Sequence, residues 1–368
     1  MTKAKGYILP FFIPHLGCPG KCIFCNQNVI SGKQKQPTAE EILMAMEDNK
    51  DKKCQLAFYG GSFTAMKPST QNYYLETAKI GLEKGWISGV RISTRPDCIN
   101  EEVIKRLQEY RVDTVELGVQ SLKDKTLLVS KRGHLANDSI RSVKMLLDSG
   151  FTVGVQLMPG LPFDDEESII KGANEILSLK PHLLRIYPTV VVENTELATM
   201  YRNNEYQPLS LDEAVIISAK IMLLAEHYGV KVIRTGLNTD EKLEKDILAG
   251  PYHSAFGNLV KSYIWRQIVL SAMERFKEIN GLEFTIKKHK VSIYSAKNML
   301  PLIFGQNSCN KSYYDDVIDN IDLKIKSFNE KIFADDEFVI ICGEDLKTIQ
   351  YSYGNYLTDF KKKIEYLI

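Results

Sequence analysis

The chain has 368 residues, of which 47 are basic and 46 acidic, so no overall cationic field marks it as a nucleic-acid-binding protein. No apolar run reaches the roughly 18 residues that a membrane-spanning helix needs, and the first residues lack the apolar core of a signal peptide. Seven cysteines in such a chain indicate reduced thiols or metal ligation, which favours a cytoplasmic protein without a membrane partner.

Strand-type and helix-type segments alternate from residue 7 to about 235. The strand candidates are almost continuously apolar, which is typical of parallel strands covered by helices. We predict them at 7–13, 55–59, 90–94, 114–119, 152–157 and 183–187, with a further run at 230–234 that closes or edges the sheet. Helices are predicted between them near 39–50, 69–84, 101–111, 136–149, 166–179 and 211–228.

Several of these helices carry start and stop signals. Two sequences predict capping boxes, and one asparagine predicts an N-cap: Thr38 with Glu41, Ser210 with Glu213, and Asn100. Gly150 and Gly229 predict the ends of the helices that precede them. Repeated βα units of this length imply a parallel sheet, either doubly wound or curled into a barrel.

Unusual residues follow six successive strand candidates. They are the cysteine loop at 18–25, the glycine turn at 60–64, Arg-Pro-Asp at 95–97, Gln-Ser at 120–121, Met-Pro-Gly-Leu-Pro at 158–162 and Tyr-Pro at 187–188. The C-terminal rim of a barrel would gather all six, whereas a doubly wound sheet concentrates its ligand at one switch point. We therefore predict an α/β fold, an incomplete TIM-like (β/α)6 barrel.

Beyond Gly236 the alternation breaks. A helix is predicted at 258–279, a β-hairpin near 282–295, a strand at 338–342 and a lysine-bearing final helix. We predict a core barrel at 1–235 and a smaller α+β region at 236–368 that covers the open barrel.

Cys18, Cys22 and Cys25 form a C-x3-C-x2-C motif within eight residues. Three thiolates on one loop can hold three corners of a cubane iron–sulfur cluster, which is normally bound by four. The fourth iron is then left for a ligand that the protein does not supply. The alternative is a structural zinc site with His15 as a fourth ligand, although no second pair of cysteines follows.

The motif resembles that of the radical S-adenosylmethionine (SAM) superfamily. The resemblance implies a [4Fe–4S] cluster on Cys18, Cys22 and Cys25, with SAM chelating the open iron. A reducing partner of the flavodoxin or ferredoxin type would reduce the cluster, which then cleaves SAM to a 5′-deoxyadenosyl radical.

The residues at the strand ends are the candidates for binding SAM. The turn at Gly60, Gly61 and Ser62 resembles the superfamily segment that meets the methionine amino group. Arg95 suits a carboxylate, and Gln120 and Ser121 suit ribose hydroxyls. The segment Met158, Pro159, Gly160 and Leu161 would face adenine. Each has a structural alternative: a turn, an Arg95–Asp97 ion pair or a hydrogen-bonded strand end.

Other chemistry-bearing residues point less clearly to a role. The basic segment 131–134 could hold substrate, although a solvated loop is the favoured interpretation. Cys54 and Cys342 are expected to be buried small hydrophobic residues. Cys98 lies near the predicted rim, where an active-site thiol is an alternative, and Cys309 has no identifiable partner.

Five words in chain order resemble the radical core of the Elongator catalytic subunit. They are STRPD at 93–97, VELGVQS at 115–121, KRGH at 131–134, MPGLP at 158–162 and YPT at 187–189. That resemblance implies RNA as a possible substrate, since Elongator enzymes modify the wobble uridine of transfer RNA. The region after residue 236 shows neither the length nor the glycine-rich acetyl-coenzyme A loop of the Elongator acetyltransferase domain.

Two alternatives stay open. Oxygen-independent coproporphyrinogen oxidases are similar, but they usually carry a tyrosine where this chain has Phe12. A non-catalytic cluster protein comparable to haem chaperones would keep the barrel without turnover.

Overall fold

The computed structural model describes residues 7–13, 18, 22–25, 35–237, 241–281, 289–317, 321–327, 338–343 and 346–365. The chain divides into two compact units, Met1–Ser254 and Ala255–Ile368. Across the described helices, none is both long and apolar enough to cross a bilayer.

One parallel sheet of seven strands organises the first unit. Its strands follow chain order from β1 to β6 and then β8: β1 Ile8–Ile13, β2 Cys54–Gly60, β3 Ile87–Thr94, β4 Thr114–Gln120, β5 Thr152–Leu157, β6 Leu183–Ile186 and β8 Lys231–Thr235. Every neighbouring pair is parallel. Because each new strand is added on the same side, the sheet has no reversal point of the doubly wound kind. The predicted incomplete barrel is confirmed, and β8 forms its edge. Two short strands, β7 Val191–Val192 and β9 Ile247–Ala249, pair antiparallel outside this sheet and were not predicted.

The helices of the first unit alternate with these strands. They are α1 Ala39–Asp48, α2 Pro68–Glu83, α3 Glu101–Glu109, α4 Asp124–Val129, α5 Ala136–Asp148, α6 Glu166–Ser178, α7 Glu196–Arg202, α8 Leu211–His227 and α9 Glu241–Lys245. All six predicted helices are confirmed, whereas α4, α7 and α9 are short and carried no strong periodic signal. Both predicted capping boxes form, and the Asn100 side chain accepts the Val103 N–H at the start of α3.

The two faces of the sheet differ in chemistry. Side chains on one face are apolar and almost fully buried, among them Leu56, Ile92, Leu117, Val155 and Leu184. The other face carries polar side chains, and those of β2, β4 and β6 touch one another although these strands are not neighbours. Only the concave face of a curled sheet allows such contacts. The polar face is therefore the inside of the barrel.

The second unit has a four-stranded sheet of order β11-β10-β12-β13. Its elements are α10 Phe256–Asn280, β10 His289–Ser295, α11 Leu300–Phe304, α12 Cys309–Val317, β11 Ile321–Ser327, β12 Phe338–Gly343, β13 Ile349–Ser352 and α13 Tyr353–Glu365. The predicted long helix, the strand at 338–342 and the final helix are confirmed. Of the predicted hairpin, 282–288 lies outside the described residues, and β10 pairs in parallel with β11, which was not predicted.

Candidate active site

The cysteine loop follows β1, and its second half is anchored on both sides. Ile23 is 1% exposed and packs in an apolar cluster with Val191 and Leu197. Its N–H donates to the Ser130 carbonyl at 3.3 Å, and its carbonyl accepts the Leu197 N–H at 2.8 Å. Loop residues 22–25 are thus fixed between α4 and α7, two helices that the sequence did not reveal.

The three thiols of the loop interact electrostatically. Burial, and then the charges of Cys22 and Cys18, raise the pKa of Cys25 to about 12. Within the described part of the chain, no three His, Cys, Asp or Glu side chains are close enough to share one metal ion. In a zinc site all the sulfur ligands bind one ion, each at about 2.3 Å from it. On a cubane each thiolate binds a different iron. Three thiols of one loop, close enough for their charges to act on one another, are a donor set that fits a cubane. His15 lies outside the described residues.

Arg132 contacts this loop directly, which corrects the interpretation of 131–134 as a solvated loop. Its Nη1 lies 3.1 Å from Cys22 Sγ, and its Nη2 donates to the Gly118 carbonyl at 2.8 Å. The guanidinium is also 6.0 Å from the ring centre of Phe24, and Nε is buried without a hydrogen-bond partner. Only Lys131 of the basic side chains in this segment is exposed. The sequence placed Arg132 in a loop but gave no sign that α4 turns it inward.

His134, in the same segment, is also buried. Its Nε2 lies 3.3 Å from the Val119 carbonyl. Burial, and then the charge of Arg132, lower the pKa of His134 to about 4. The imidazole is therefore neutral near pH 7.

The turn after β2 lies against β1. Gly60 has a φ of +108°, and a Cβ there would be 3.0 Å from the Ile13 carbonyl oxygen, so only glycine fits. Gly61 is half-buried. Ser62 is 2% exposed, and its hydroxyl lies 2.9 Å from the Thr94 hydroxyl and accepts the Arg95 N–H at 3.0 Å. The Ser62 side chain thus ties the turn to β3.

Arg95 makes the structural ion pair that was its alternative role. Its Nε and Nη2 donate to the Asp97 carboxylate at 2.9 and 2.8 Å, and Nη2 also contacts the Gly133 carbonyl at 3.2 Å. Burial alone would lower the pKa of Arg95, but the hydrogen bonds and charge of Asp97 raise it. A Cβ at Gly133 would come within 2.5 Å of Arg95 Nη2, which explains the glycine in this segment.

The remaining predicted residues meet at the ends of β4 and β5. Gln120 is buried with a φ of +68°, beside a register shift between β4 and β5. Its side-chain oxygen accepts the Gln156 amide at 3.1 Å, and its carbonyl accepts the Met158 N–H at 2.9 Å. A non-glycine residue in the left-handed region is typical of strained functional positions.

The neighbouring candidates are partly committed to local hydrogen bonds. The Ser121 hydroxyl accepts the Lys123 N–H at 3.1 Å. Met158 is half-buried, and Pro159, Gly160 and Leu161 are buried. The Gly160 carbonyl accepts the Tyr206 hydroxyl at 2.6 Å, whereas the Pro159 carbonyl accepts the Thr189 N–H at 2.9 Å.

The four other cysteines have different environments. Cys54 is fully buried, as predicted, whereas Cys342 is half-buried and Cys309 exposed. Burial, and then the charge of Asp97, raise the pKa of the half-buried Cys98 to about 11. Cys98 is therefore a thiol rather than a reactive thiolate near neutral pH.

The family model described as "Radical SAM superfamily" matches residues 12–176, and the one described as "Radical_SAM C-terminal domain" matches 181–266. An uncharacterized protein from Methanocaldococcus jannaschii is 34% identical over 265 residues, which cover 68% of this chain and 80% of that protein.

Two further relatives carry the name of an enzyme that acts on transfer RNA. The tRNA uridine(34) acetyltransferase of M. jannaschii is 27% identical over 418 aligned residues, covering 92% of this chain and 73% of that protein. The enzyme of the same name from Methanocaldococcus infernus is 29% identical, but the match covers only 46% of its length. The solved structure of archaeal M. infernus Elp3 with an N-terminal deletion is similar in fold, with a TM-score of 0.60 at 24% identity over 72% of this chain and 64% of that chain.

Proposed function

The chain belongs to the radical SAM superfamily, and we propose that it cleaves SAM reductively and abstracts a hydrogen atom from a substrate. Members of this family bind a [4Fe–4S] cluster and SAM, and when bound the pair supplies a 5′-deoxyadenosyl radical. The observation that carries the proposal is the cysteine loop itself. Its three interacting thiols come after β1 in the chain, and Cys22 contacts Arg132, which also reaches the Gly118 carbonyl near the C-terminal end of β4.

We assign the cluster to Cys18, Cys22 and Cys25. Desolvation disfavours the thiolate of Cys25, and the guanidinium of Arg132 opposes that effect. Iron binding would complete the deprotonation, because a coordinating thiol is held as thiolate by the metal charge. The packed Ile23 fixes the backbone between Cys22 and Cys25.

Arg132 is a better candidate than Arg95 for the carboxylate of SAM. Arg95 already spends two donors on Asp97, whereas Arg132 has no carboxylate partner among the described residues and lies at a cluster ligand. A guanidinium with spare donors in a buried position suits an oxyanion. Arg95 would then hold the segment 131–134 in place through the Gly133 carbonyl.

The other candidate contacts to SAM use backbone groups and one side chain. The turn at Gly60 and Gly61 lets the backbone come close to a ligand ammonium and offers carbonyl acceptors. Gln120 would bind ribose hydroxyls, since its bulge turns the side chain toward Gln156 on the inside of the barrel. The half-buried Met158 is the member of its segment best placed to face adenine.

We propose an RNA nucleoside as the substrate class and a flavodoxin- or ferredoxin-type protein as the electron donor. The support for RNA is the archaeal relative named for transfer RNA uridine(34), since its match covers 92% of this chain.

The test is reductive SAM cleavage by anaerobically reconstituted protein with dithionite. We expect 5′-deoxyadenosine from wild type and from Cys309→Ala, and none from Cys22→Ala, because two thiolates rarely retain a cubane. Cys309 is the matched control because its thiol is exposed and lies in the second unit. Product from Cys22→Ala at the wild-type rate would refute the ligand assignment.

The RNA proposal is tested separately by nucleoside mass spectrometry. RNA from a deletion strain should lack, or accumulate the precursor of, at least one modified nucleoside present in the parent. An unchanged profile across transfer and ribosomal RNA would remove RNA as substrate and leave SAM cleavage standing.

A further inference from the structure

Two arginines and one glutamate form an ionic layer inside the barrel. Arg91 on β3, Glu116 on β4 and Arg185 on β6 have side chains that are 10%, 9% and 19% exposed. Closed eight-stranded barrels fill their interior with branched apolar residues, whereas this open sheet of seven strands carries charges there. Charged groups in such a place need a physical reason, because burying ions is costly unless they are paired.

Glu116 accepts nearly all the hydrogen bonds that its carboxylate can take. Arg185 donates from Nε to Oε2 at 2.5 Å and from Nη2 to Oε1 at 3.1 Å. Arg91 Nη1 forms a further ion pair with Oε1. The Tyr59 hydroxyl lies 3.3 Å from the same oxygen. Burial raises the pKa of Glu116, but the hydrogen bonds and charges of the two arginines lower it by more than burial raises it. The carboxylate is therefore ionised.

The arginines keep donors that Glu116 does not take. Arg91 Nε donates to the side-chain oxygen of Gln55 at 2.8 Å, and no described residue accepts from Arg91 Nη2. Arg185 uses one hydrogen of Nη1 on the Tyr187 hydroxyl at 3.0 Å, which leaves the second. The layer thus has more donors than acceptors.

The charges of the layer do not cancel. Glu116 is the one carboxylate in direct contact with either arginine among the described residues. Asp113 lies one step away, because its carboxylate accepts the Gln55 amide at 2.8 and 3.0 Å, and burial raises its pKa. Arg234, the register partner of Arg185 on β8, adds a third guanidinium to the same face. Among the described residues, two guanidiniums therefore contact one carboxylate, and a third guanidinium lies on the same face.

This face is open to solvent toward the strand ends. Tyr59, Gln156, Arg185 and Tyr187 are each half-buried, whereas their neighbours on the outer face are almost fully buried. Gly118 and Gly154 have no side chain, and a Cβ at Gly154 would press on Glu116 at 3.1 Å. The missing side chains at these glycines let Gln120, Arg132 and Glu116 pack close to the sheet, and the half-buried Arg185 guanidinium is the charged group of the layer that solvent reaches most.

We propose that Arg185, backed by Arg91, binds an oxyanion of the substrate, a carboxylate or a phosphate, on the inside of the barrel. A planar guanidinium with spare donors favours an oxyanion, and the bound charge would neutralise the cationic excess of the layer. The inference rests on the proposed function only in calling the ligand a substrate. Arg185 would then determine which substrates the barrel accepts.

The test measures anion binding by the reconstituted holoprotein with SAM present, at constant ionic strength. The probes are inorganic phosphate, followed by phosphorus NMR, and carbon-13-labelled acetate, followed by carbon NMR. We expect saturable binding to wild type and at least tenfold weaker binding to Arg185→Gln. A lower Kd for phosphate would assign a phosphate-bearing substrate, and a lower Kd for acetate a carboxylate.

Matched variants separate this site from general charge effects. Arg202→Gln makes the same charge change at an exposed arginine that pairs with Glu193, and it should bind both anions like wild type. Glu116→Gln removes the competing carboxylate and should bind them several-fold more tightly. Arg185→Gln leaves a balanced Arg91–Glu116 ion pair, so this variant should stay folded. If Glu116→Gln does not fold, anion binding to Arg185→Gln is sufficient to test the proposal.

Two results would overturn the proposal: no saturable binding of either anion to wild type, or equal binding to Arg185→Gln. Binding is measured without turnover, so its failure leaves the 5′-deoxyadenosine assay untouched. Failure of that assay would likewise leave a positive binding result standing.

Discussion

Replacing Arg132 with glutamine should weaken SAM binding without emptying the cluster site. Arg132 is 7% exposed, and its Nη1 lies 3.1 Å from Cys22 Sγ. A hydrogen bond to a charged group contributes about 1.5–3 kcal/mol. At about 1.4 kcal/mol for each factor of ten in Kd, its loss corresponds to a SAM affinity roughly 10- to 100-fold lower.

The same substitution should leave the protein folded. The hydrogen bond from the charged Nη2 to the Gly118 carbonyl contributes about 1.5–3 kcal/mol, which is less than the roughly 5–15 kcal/mol that stabilises a typical domain. The assay is equilibrium dialysis of labelled SAM against anaerobically reconstituted protein, with iron and sulfide measured on each sample. Arg141→Gln is the control, because Arg141 pairs with Asp138 on an exposed helix face.

The outcome for Arg95→Gln completes this experiment. If Arg95 mainly holds Asp97 and the Gly133 carbonyl, its loss should lower the free energy of unfolding more than the affinity for SAM. The reasoning fails if Arg132→Gln, with a full cluster, binds SAM as tightly as wild type while Arg95→Gln does not.

Three further predictions concern stability and thiol reactivity. In urea titrations, Gly60→Ala should lower the free energy of unfolding by about 1–3 kcal/mol, and by more than Gly85→Ala. Both glycines have a positive φ, but only at Gly60 would a new Cβ meet backbone atoms within 4 Å. Equal losses in the two variants would contradict this close approach. Because the pKa of His134 is held at about 4, the unfolded chain takes up that proton first, so wild type should lose stability relative to His134→Gln as the pH falls from about 6.5 to about 4, by up to about 1.4 kcal/mol per pH unit. Urea titrations at pH 7 and pH 5 check this, and a constant difference between the two proteins would count against it. Iodoacetamide at pH 8 should label the exposed Cys309 at least tenfold faster than Cys98, whose pKa burial raises to about 11; peptide mass spectrometry giving equal labelling would refute this.

The barrel could be predicted from sequence because its signals are local and repeated. Apolar runs of strand length, capping boxes and chemistry-bearing residues after each strand all point to one parallel sheet. The parallel topology places the residues that end or follow strands, such as Gly60, Gln120 and Arg95, at one edge of the sheet. Their partners could not be predicted in the same way, and Arg95 proved to be held by Asp97.

The residues that sequence reasoning missed act through contacts between distant segments. Arg132 meets Cys22 across 110 positions of chain, and a basic loop carries no local sign of burial. Glu116 and Arg185 are 69 positions apart in the chain. Each is a charged residue within a predicted strand whose other residues are mostly apolar. A charged residue inside a predicted buried strand was the available signal. It indicates a polar inner face, but only the curvature of the sheet shows which charges meet.

The most direct test of the central claim is Mössbauer spectroscopy of protein reconstituted with iron-57 under anaerobic conditions, with and without SAM. The account predicts a [4Fe–4S] cluster in which one of the four irons changes its parameters when SAM is added. A site that holds zinc, or a cluster whose four irons are all unaffected by SAM, would contradict it.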